Sequence, residues 1–241
     1  MVFEMHYSQC MVKATIVVFL ILFSSAASAS ELSSVIATLE SNWANAYYQH
    51  DEDRQKLEYP LLLAQAAELA ARYPNAAEPK IWQATIMVTN AAFQSSLTAL
   101  STLDSAKALL EEAIHMNPNA LDGAAYVMLG TLYYMVPGWP VSFGDNQKAE
   151  QMLKTSLSIN PNGVDANYFY ADYLLDQDRT AEAVSFLQKA IQAPLRKQPS
   201  LADLRLRDAA KSALTQAEQG RQAGGKTKYQ SLFADANNQT R

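Results

Sequence analysis

Cysteine is almost missing from this 241-residue sequence, whose single example is Cys10. That residue lies in a segment expected to be removed, so the working chain has no disulfide, thiol nucleophile or Cys-based metal site. Histidine is scarce as well. Beyond the same segment only His50 and His115 remain, and neither has a partner four residues away with which to hold a metal on one helix face. No G-x-S-x-G element occurs. Glu111 and Glu112 are adjacent, which points them to different sides of a helix and unsuits them to act as a pair. An excess of basic residues is also lacking: 24 acids against 19 bases leave a net charge of −5, so the electrostatic footprint of a nucleic-acid binder is not there. These absences point away from catalysis, from a cofactor and from a metal.

Long apolar runs are missing too. The longest, Ala14 to Phe23, rises about 1.5 Å per residue and covers only about half of a hydrocarbon core of about 30 Å. It follows the cation Lys13 and precedes the small-residue stretch Ser24 to Ser30, with Ala27-Ser28-Ala29 as a cleavage triplet. This is the layout of a secretory signal: residues 1–29 are expected to be removed, Ser30 to be the first mature residue, and the product to be periplasmic. Met11 would serve as a start as well as Met1. No cysteine follows the apolar run at the cleavage point, so no lipid anchor is expected.

What is present is material for a core, with 49% hydrophobic and 10% aromatic residues, which excludes disorder of the whole chain. Leu32, Val35, Ile36, Leu39, Trp43, Ala46 and Tyr47 recur at three and four, predicting a helix from about 31 to 49. Asp51-Glu52-Asp53 then reads as the acidic start of the next helix. Helical periodicity continues to about residue 220, and 221–241 reads as a polar tail. The strongest signal is a recurring turn: Tyr73-Pro74-Asn75-Ala76, Asn117-Pro118-Asn119-Ala120 and Asn160-Pro161-Asn162-Gly163, with Pro194 as a weaker fourth copy. The intervals are 44, 43 and 33 residues (118−74, 161−118, 194−161). An Ala-rich amphipathic segment precedes each turn, and a further helix follows each of the first three. Such a unit of helix, Pro-Asn turn and helix cannot bury its apolar face alone and must stack on copies of itself.

The segment Val164 to Pro194, with small residues Ala171, Ala183 and Ala190 and the large Leu187, resembles a tetratricopeptide repeat. The fold expected for 30–220 is therefore all-α, an array of helical hairpins of that kind. A more specific resemblance rests on Gly138-Trp139-Pro140, Ser142-Phe143-Gly144-Asp145, the Asn-Pro-Asn-Gly turn, and Asp165-Ala166-Asn167-Tyr168-Phe169-Tyr170. Together these are similar to the T component of tripartite ATP-independent periplasmic transporters. That resemblance covers roughly 58–194 and implies a helical periplasmic accessory that works with a substrate-binding subunit and offers an apolar cavity. Members are often lipoproteins, a feature that this chain, without the cysteine, does not share.

Candidate binding residues follow. Between Met135 and Lys148, two glycines and two prolines build a loop that holds a shape, with Asp145 placed to cap the next helix. Its Trp139 and Phe143 either plug a gap between repeats or wall a groove for a partner or a small apolar ligand. The stretch Leu121 to Val136, with only Asp122 and Thr131 taken as polar, predicts a helix that is buried on every side or lines a cavity, and it carries Tyr126. Along Val164 to Asp176, Asp165, Asp172 and Asp176 fall on one narrow face bordered by Tyr168 and Phe169. Trp139, Phe143, Tyr168, Phe169 and Tyr126 are therefore the residues expected to meet a partner or ligand; a purely structural scaffold for an envelope complex is the alternative. Gly220 to Thr227 matches the phosphate-loop expression but has an Ala/Gln-rich helix before it, no strand, and too little chain after it, so it is read as a helix end.

Overall fold

A computed structural model describes residues 30–194, 196 and 200–220. The expected signal segment, the polar tail and all of the phosphate-loop match except Gly220 lie outside them. By its contacts the chain divides into a first unit, Met1–Thr38, and a second, Leu39–Arg241. The described part of the first, 30–38, is helical, and Thr38 Oγ1 donates to the Ser34 carbonyl oxygen within it.

The second unit is all-α. Helix α1 spans 30–49 and enters this unit at Leu39. It is followed by α2 (Glu52–Arg72), α3 (Glu78–Ala91), α4 (Ser96–Met116), a 3-10 turn (Ala120–Gly123), α5 (Ala124–Met135), α6 (Asn146–Ile159), α7 (Val164–Asp176), α8 (Thr180–Gln192) and α9 (Leu201–Glu218). Sequence chemistry sets most of these ends. Asp51 accepts from the Arg54 amide at 3.0 Å and starts α2; Asp145 accepts from the Gln147 and Lys148 amides and starts α6; Ser200 does the same for α9. The Pro-Asn turns close α2, α4 and α6 as expected. Pro60, however, stands inside α2, against the rule that proline ends helices. It is on the exposed side, where water can take up the carbonyl left without a donor.

One expectation is corrected. The helix foreseen from Leu121 begins only at Ala124, because Leu121 and Asp122 take left-handed angles (φ 48° and 55°) ahead of Gly123 at φ 83°. α5 itself is buried over most of its circumference, from Ala125 to Tyr134, and its Thr131 hydroxyl is spent on the Val127 carbonyl at 2.8 Å.

Packing repeats as the turns do. Ala106, Leu110 and Ala113 of α4, Ala149, Leu153 and Ser156 of α6, and Ala183, Leu187 and Ala190 of α8 share the same four-then-three spacing, and all nine are fully buried. Each leucine fills the space beside two small residues that let neighbouring helices approach. α3 pairs with α4, α5 with α6, and α7 with α8; α3, α5, α7 and α9 lie side by side as an inner row. One apolar cluster runs through all of them, from Ala77 to Ala217.

Candidate functional site

The loop between α5 and α6 is held at its base. The Gly144 amide donates to the Pro137 carbonyl at 2.9 Å, the Asp145 amide to Tyr133 at 2.8 Å, and the Val141 amide to Gly138 at 3.1 Å. A Cβ on Gly144 would sit 2.0 Å from the Val136 carbonyl oxygen, so only glycine allows this closure. The two candidate aromatics of the loop part company here. Phe143 packs edge-on against Tyr133 with ring centroids 5.9 Å apart, and Lys107 Nζ stands 5.8 Å from its ring. Trp139 is 90% exposed. The gap-filling role considered for both is thus taken by Phe143 alone, while Trp139 projects from a pinned loop beside the half-exposed Val141.

Tyr168 and Phe169 form a second group. Their rings meet edge-on at 5.2 Å on α7. Tyr168 acts electrostatically on Tyr134 of α5 and on Tyr48 of α1, and feels Tyr47 in turn. Tyr133 and Tyr134 are consecutive, so they leave α5 about 100° apart. Phe143 is therefore set against one side of α5, while Tyr168 acts on a tyrosine of another. Tyr126 is half-buried, seven residues before Tyr133 and on the same side of the helix.

A group of rings on α1 and α3 was not assigned to a site by sequence reasoning. Trp43 stacks on Tyr47 at 5.3 Å, Tyr47 meets Tyr48 edge-on at 4.7 Å, and Trp43 reaches Trp82 of α3 at 5.4 Å. The Trp43 indole N–H donates to the Thr89 hydroxyl at 3.2 Å, fixing α1 on α3. Tyr47 keeps 40% of its surface, yet loss of surrounding water raises its phenol above the ordinary range.

The aspartates expected on one face of α7 separate by depth. Asp176 is exposed, whereas Asp165 and Asp172 are half-buried. Burial pushes the Asp172 carboxyl up to about 6, although the Tyr134 hydroxyl donates to its Oδ2 at 2.6 Å. Asp165 is raised by burial too; its Oδ1 accepts from the Ala166 amide at 2.8 Å, and the side-chain charges acting on it are those of Asp203 and Asp122, both negative. Arg196 bonds Glu40 of α1 and Asp203 of α9 together. Among the described residues, no group of three or more His, Cys, Asp or Glu side chains is placed to hold a metal ion, and no helix is long and apolar enough to cross a membrane.

Comparison with known proteins agrees with this architecture. Residues 141–207, covering α6 to α8 and the start of α9, match the tetratricopeptide repeat family. A crystal structure of a thermophilic tetratricopeptide-repeat protein from Thermus thermophilus is similar over 79% of this chain and 94% of its own, at 20% identity and a TM-score of 0.52. No curated protein matches the sequence. The segment 141–207 is thus similar to tetratricopeptide repeats, and the fold is an all-α, tetratricopeptide-like array of helical hairpins.

Proposed function

We propose that this chain is a non-catalytic scaffold that docks a partner protein through the loop carrying Trp139. Helical arrays of this kind generally serve protein association, which is the coarse part of the reading. The observation that carries the finer part is Trp139 itself, 90% exposed on a loop fastened at its base by the amides of Gly144 and Asp145. An exposed indole costs solubility and contributes nothing to the core. When its loop is already ordered, little entropy is lost on contact, and tryptophan is among the residues that dominate binding energy at interfaces.

The leader-like segment 1–29 and the likeness to the T component of tripartite ATP-independent periplasmic transporters give this scaffold a setting. In that reading it is exported and works in the periplasm beside a substrate-binding subunit.

The test is capture of partners from the periplasm by the tagged chain, quantified for the wild type, Trp139→Ala and the distant surface variant Leu97→Ala. The reading expects one protein to be lost at least about tenfold with Trp139→Ala and retained with Leu97→Ala. Equal capture by all three would overturn it. The mass of the recovered chain reports whether it begins at Ser30.

A further inference from the structure

We infer that the outer face of α2 pairs two copies of this chain, the two helices running antiparallel with Ala64 of each at the two-fold axis. The contact does not involve the loop of Trp139.

Helix α2 buries Tyr59, Leu62, Ala66 and Leu69 against the rest of the chain. The opposite face of such a helix is ordinarily polar. From Leu57 to Ala71 it is instead made of Leu57, Pro60, Leu61, Ala64, Ala67 and Ala71, all exposed, and Glu68 is the one polar side chain exposed among them. Leu57 keeps 74% of its surface and Leu61 70%. Helical winding sets these six within about 60° on either side of Ala64, as one continuous stripe about 21 Å long.

Helices α4, α6 and α8, which likewise each precede a helix of the inner row, show what solvent-facing surface is in this chain. The exposed side chains of α6 are all polar, Lys148, Gln151 and Lys154 among them. α8 exposes Glu182, Ser185, Gln188, Lys189 and Gln192, with Ala181 its one apolar exception. On α4 the exposed Leu97 and Ala108 stand about three turns apart, with Ser101, Asp104 and Ser105 between them. A continuous apolar stripe on one helix of four marks a contact surface.

The layout of the stripe selects a second copy as its occupant. Both leucines stand in its first half, and its second half holds only alanines beside Glu68. An antiparallel copy lays the leucines of each chain over the alanines of the other, large against small. The chain already packs α4, α6 and α8 internally with leucine beside small residues. A parallel copy in register would set leucine on leucine and leave the alanine half underfilled. Charge agrees with the antiparallel choice. Between Asp51 and Glu58 stand four acids and two bases, whereas the last turn of α2 carries Arg72. Antiparallel pairing brings the acidic end of each helix to the basic end of its partner; parallel pairing would bring acids together. The two-fold contact then uses the same patch on both chains and closes at a dimer.

A stripe about 21 Å long and about 10 Å broad lies at the small end of specific interfaces, and Glu68 adds a charge to desolvate, so micromolar association is expected. The experiment is sedimentation velocity of the full chain from about 1 to about 200 µM, with a reversible monomer–dimer equilibrium of Kd about 1 to 100 µM as the expected result. Leu61→Lys, whose fold circular dichroism checks, should weaken the dimer at least about tenfold, while Leu97→Lys on α4 should leave it unchanged. Cross-linking in a Cys10→Ser background, where no other thiol remains, reads the arrangement. Ala64→Cys meets its own copy at the axis and should oxidise to a linked dimer. Ala71→Cys lies about 10 Å along the helix from the axis, so its two copies are about 20 Å apart and should not link. A chain that stays monomeric at about 200 µM would mean that its own remaining residues or another protein cover the stripe, and would overturn the proposal. A dimer undiminished by Leu61→Lys, or linking of Ala71→Cys as readily as of Ala64→Cys, would overturn it as well.

Discussion

Tyr134 of α5 donates its hydroxyl proton to Asp172 Oδ2 of α7 across 2.6 Å. The bond favours the charged carboxylate, but burial outweighs it and the carboxyl is pushed up to about 6. A raised acid holds its proton more tightly folded than unfolded. Between its ordinary range near 4 and about 6 the folded chain therefore binds more protons, and stability falls as pH rises through that window and stays lower above it. Asp172→Asn keeps an acceptor for Tyr134 and removes the charge. It is expected to stabilise the chain by about 2 kcal/mol at pH 7.5 and to flatten the loss between pH 4 and 6, as read by urea unfolding. Asp172→Leu leaves the phenol unpaired and should destabilise at every pH. Parallel pH profiles for wild type and Asp172→Asn would show this account of the carboxylate to be wrong.

The buried triads of α4, α6 and α8 give a prediction with an internal control. Leu110→Ala, Leu153→Ala and Leu187→Ala each empty a site of no exposure and should each cost about 2 to 5 kcal/mol. Ser156 occupies the place that Ala113 and Ala190 hold in the other two helices, and its hydroxyl bonds the Leu153 carbonyl of its own helix at 2.8 Å. Ser156→Ala should change stability by less than about 1 kcal/mol, because donor and partner lie in one turn and the methyl fills the space. A large loss from Ser156→Ala would mean that the three helices do not pack alike.

How much of this was legible beforehand depended on the range of the signal. The Pro-Asn turns and the capping aspartates act within a few residues, and the turn at Pro161-Asn162 fixed the end of α6 and the start of α7, foreseen at Val164. The left-handed turn at Leu121 and Asp122 was not foreseen, since leucine gives no sign that its backbone will leave the right-handed region. Residue type also left open whether Trp139 or Phe143 would be the packing residue; Tyr133 and the Gly144 amide decide that, by holding the loop with Phe143 inward. The ring contacts among Trp43, Tyr47, Tyr48 and Trp82 were not foreseen for a third reason: periodicity along one helix says nothing of what faces it.

Glu150 should set part of the acid limit of stability. Hydrogen bonds from Arg179 and Lys154 hold its carboxyl down to about 2, and Tyr170 also donates to it at 3.2 Å. A depressed acid stabilises the fold fully above its ordinary range near 4.5, and loses that contribution as pH falls from there toward 2. Glu150→Gln is expected to cost on the order of 1 kcal/mol at pH 7, since water still reaches the group, and to shrink the difference from wild type as the pH approaches 3. A constant difference from pH 7 to 3 would show that the variant acts through packing and not through charge.

The loop separates stability from binding, and its three key residues should fall into three classes. Trp139→Ala removes a side chain that is 90% exposed and should shift stability by less than about 0.5 kcal/mol while abolishing partner capture. Phe143→Ala strips the ring from Tyr133 and should cost about 1 to 2 kcal/mol. Gly144→Ala drives a Cβ to 2.0 Å from the Val136 carbonyl oxygen, which only a backbone shift relieves. That shift breaks the Gly144 amide bond to Pro137 and releases the loop, so capture should weaken although the indole is intact. Thermal unfolding and quantitative capture on the same three variants make the comparison. If Gly144→Ala captures its partner as the wild type does, the loop's shape is not what presents Trp139, and the indole must bind by adapting to its partner.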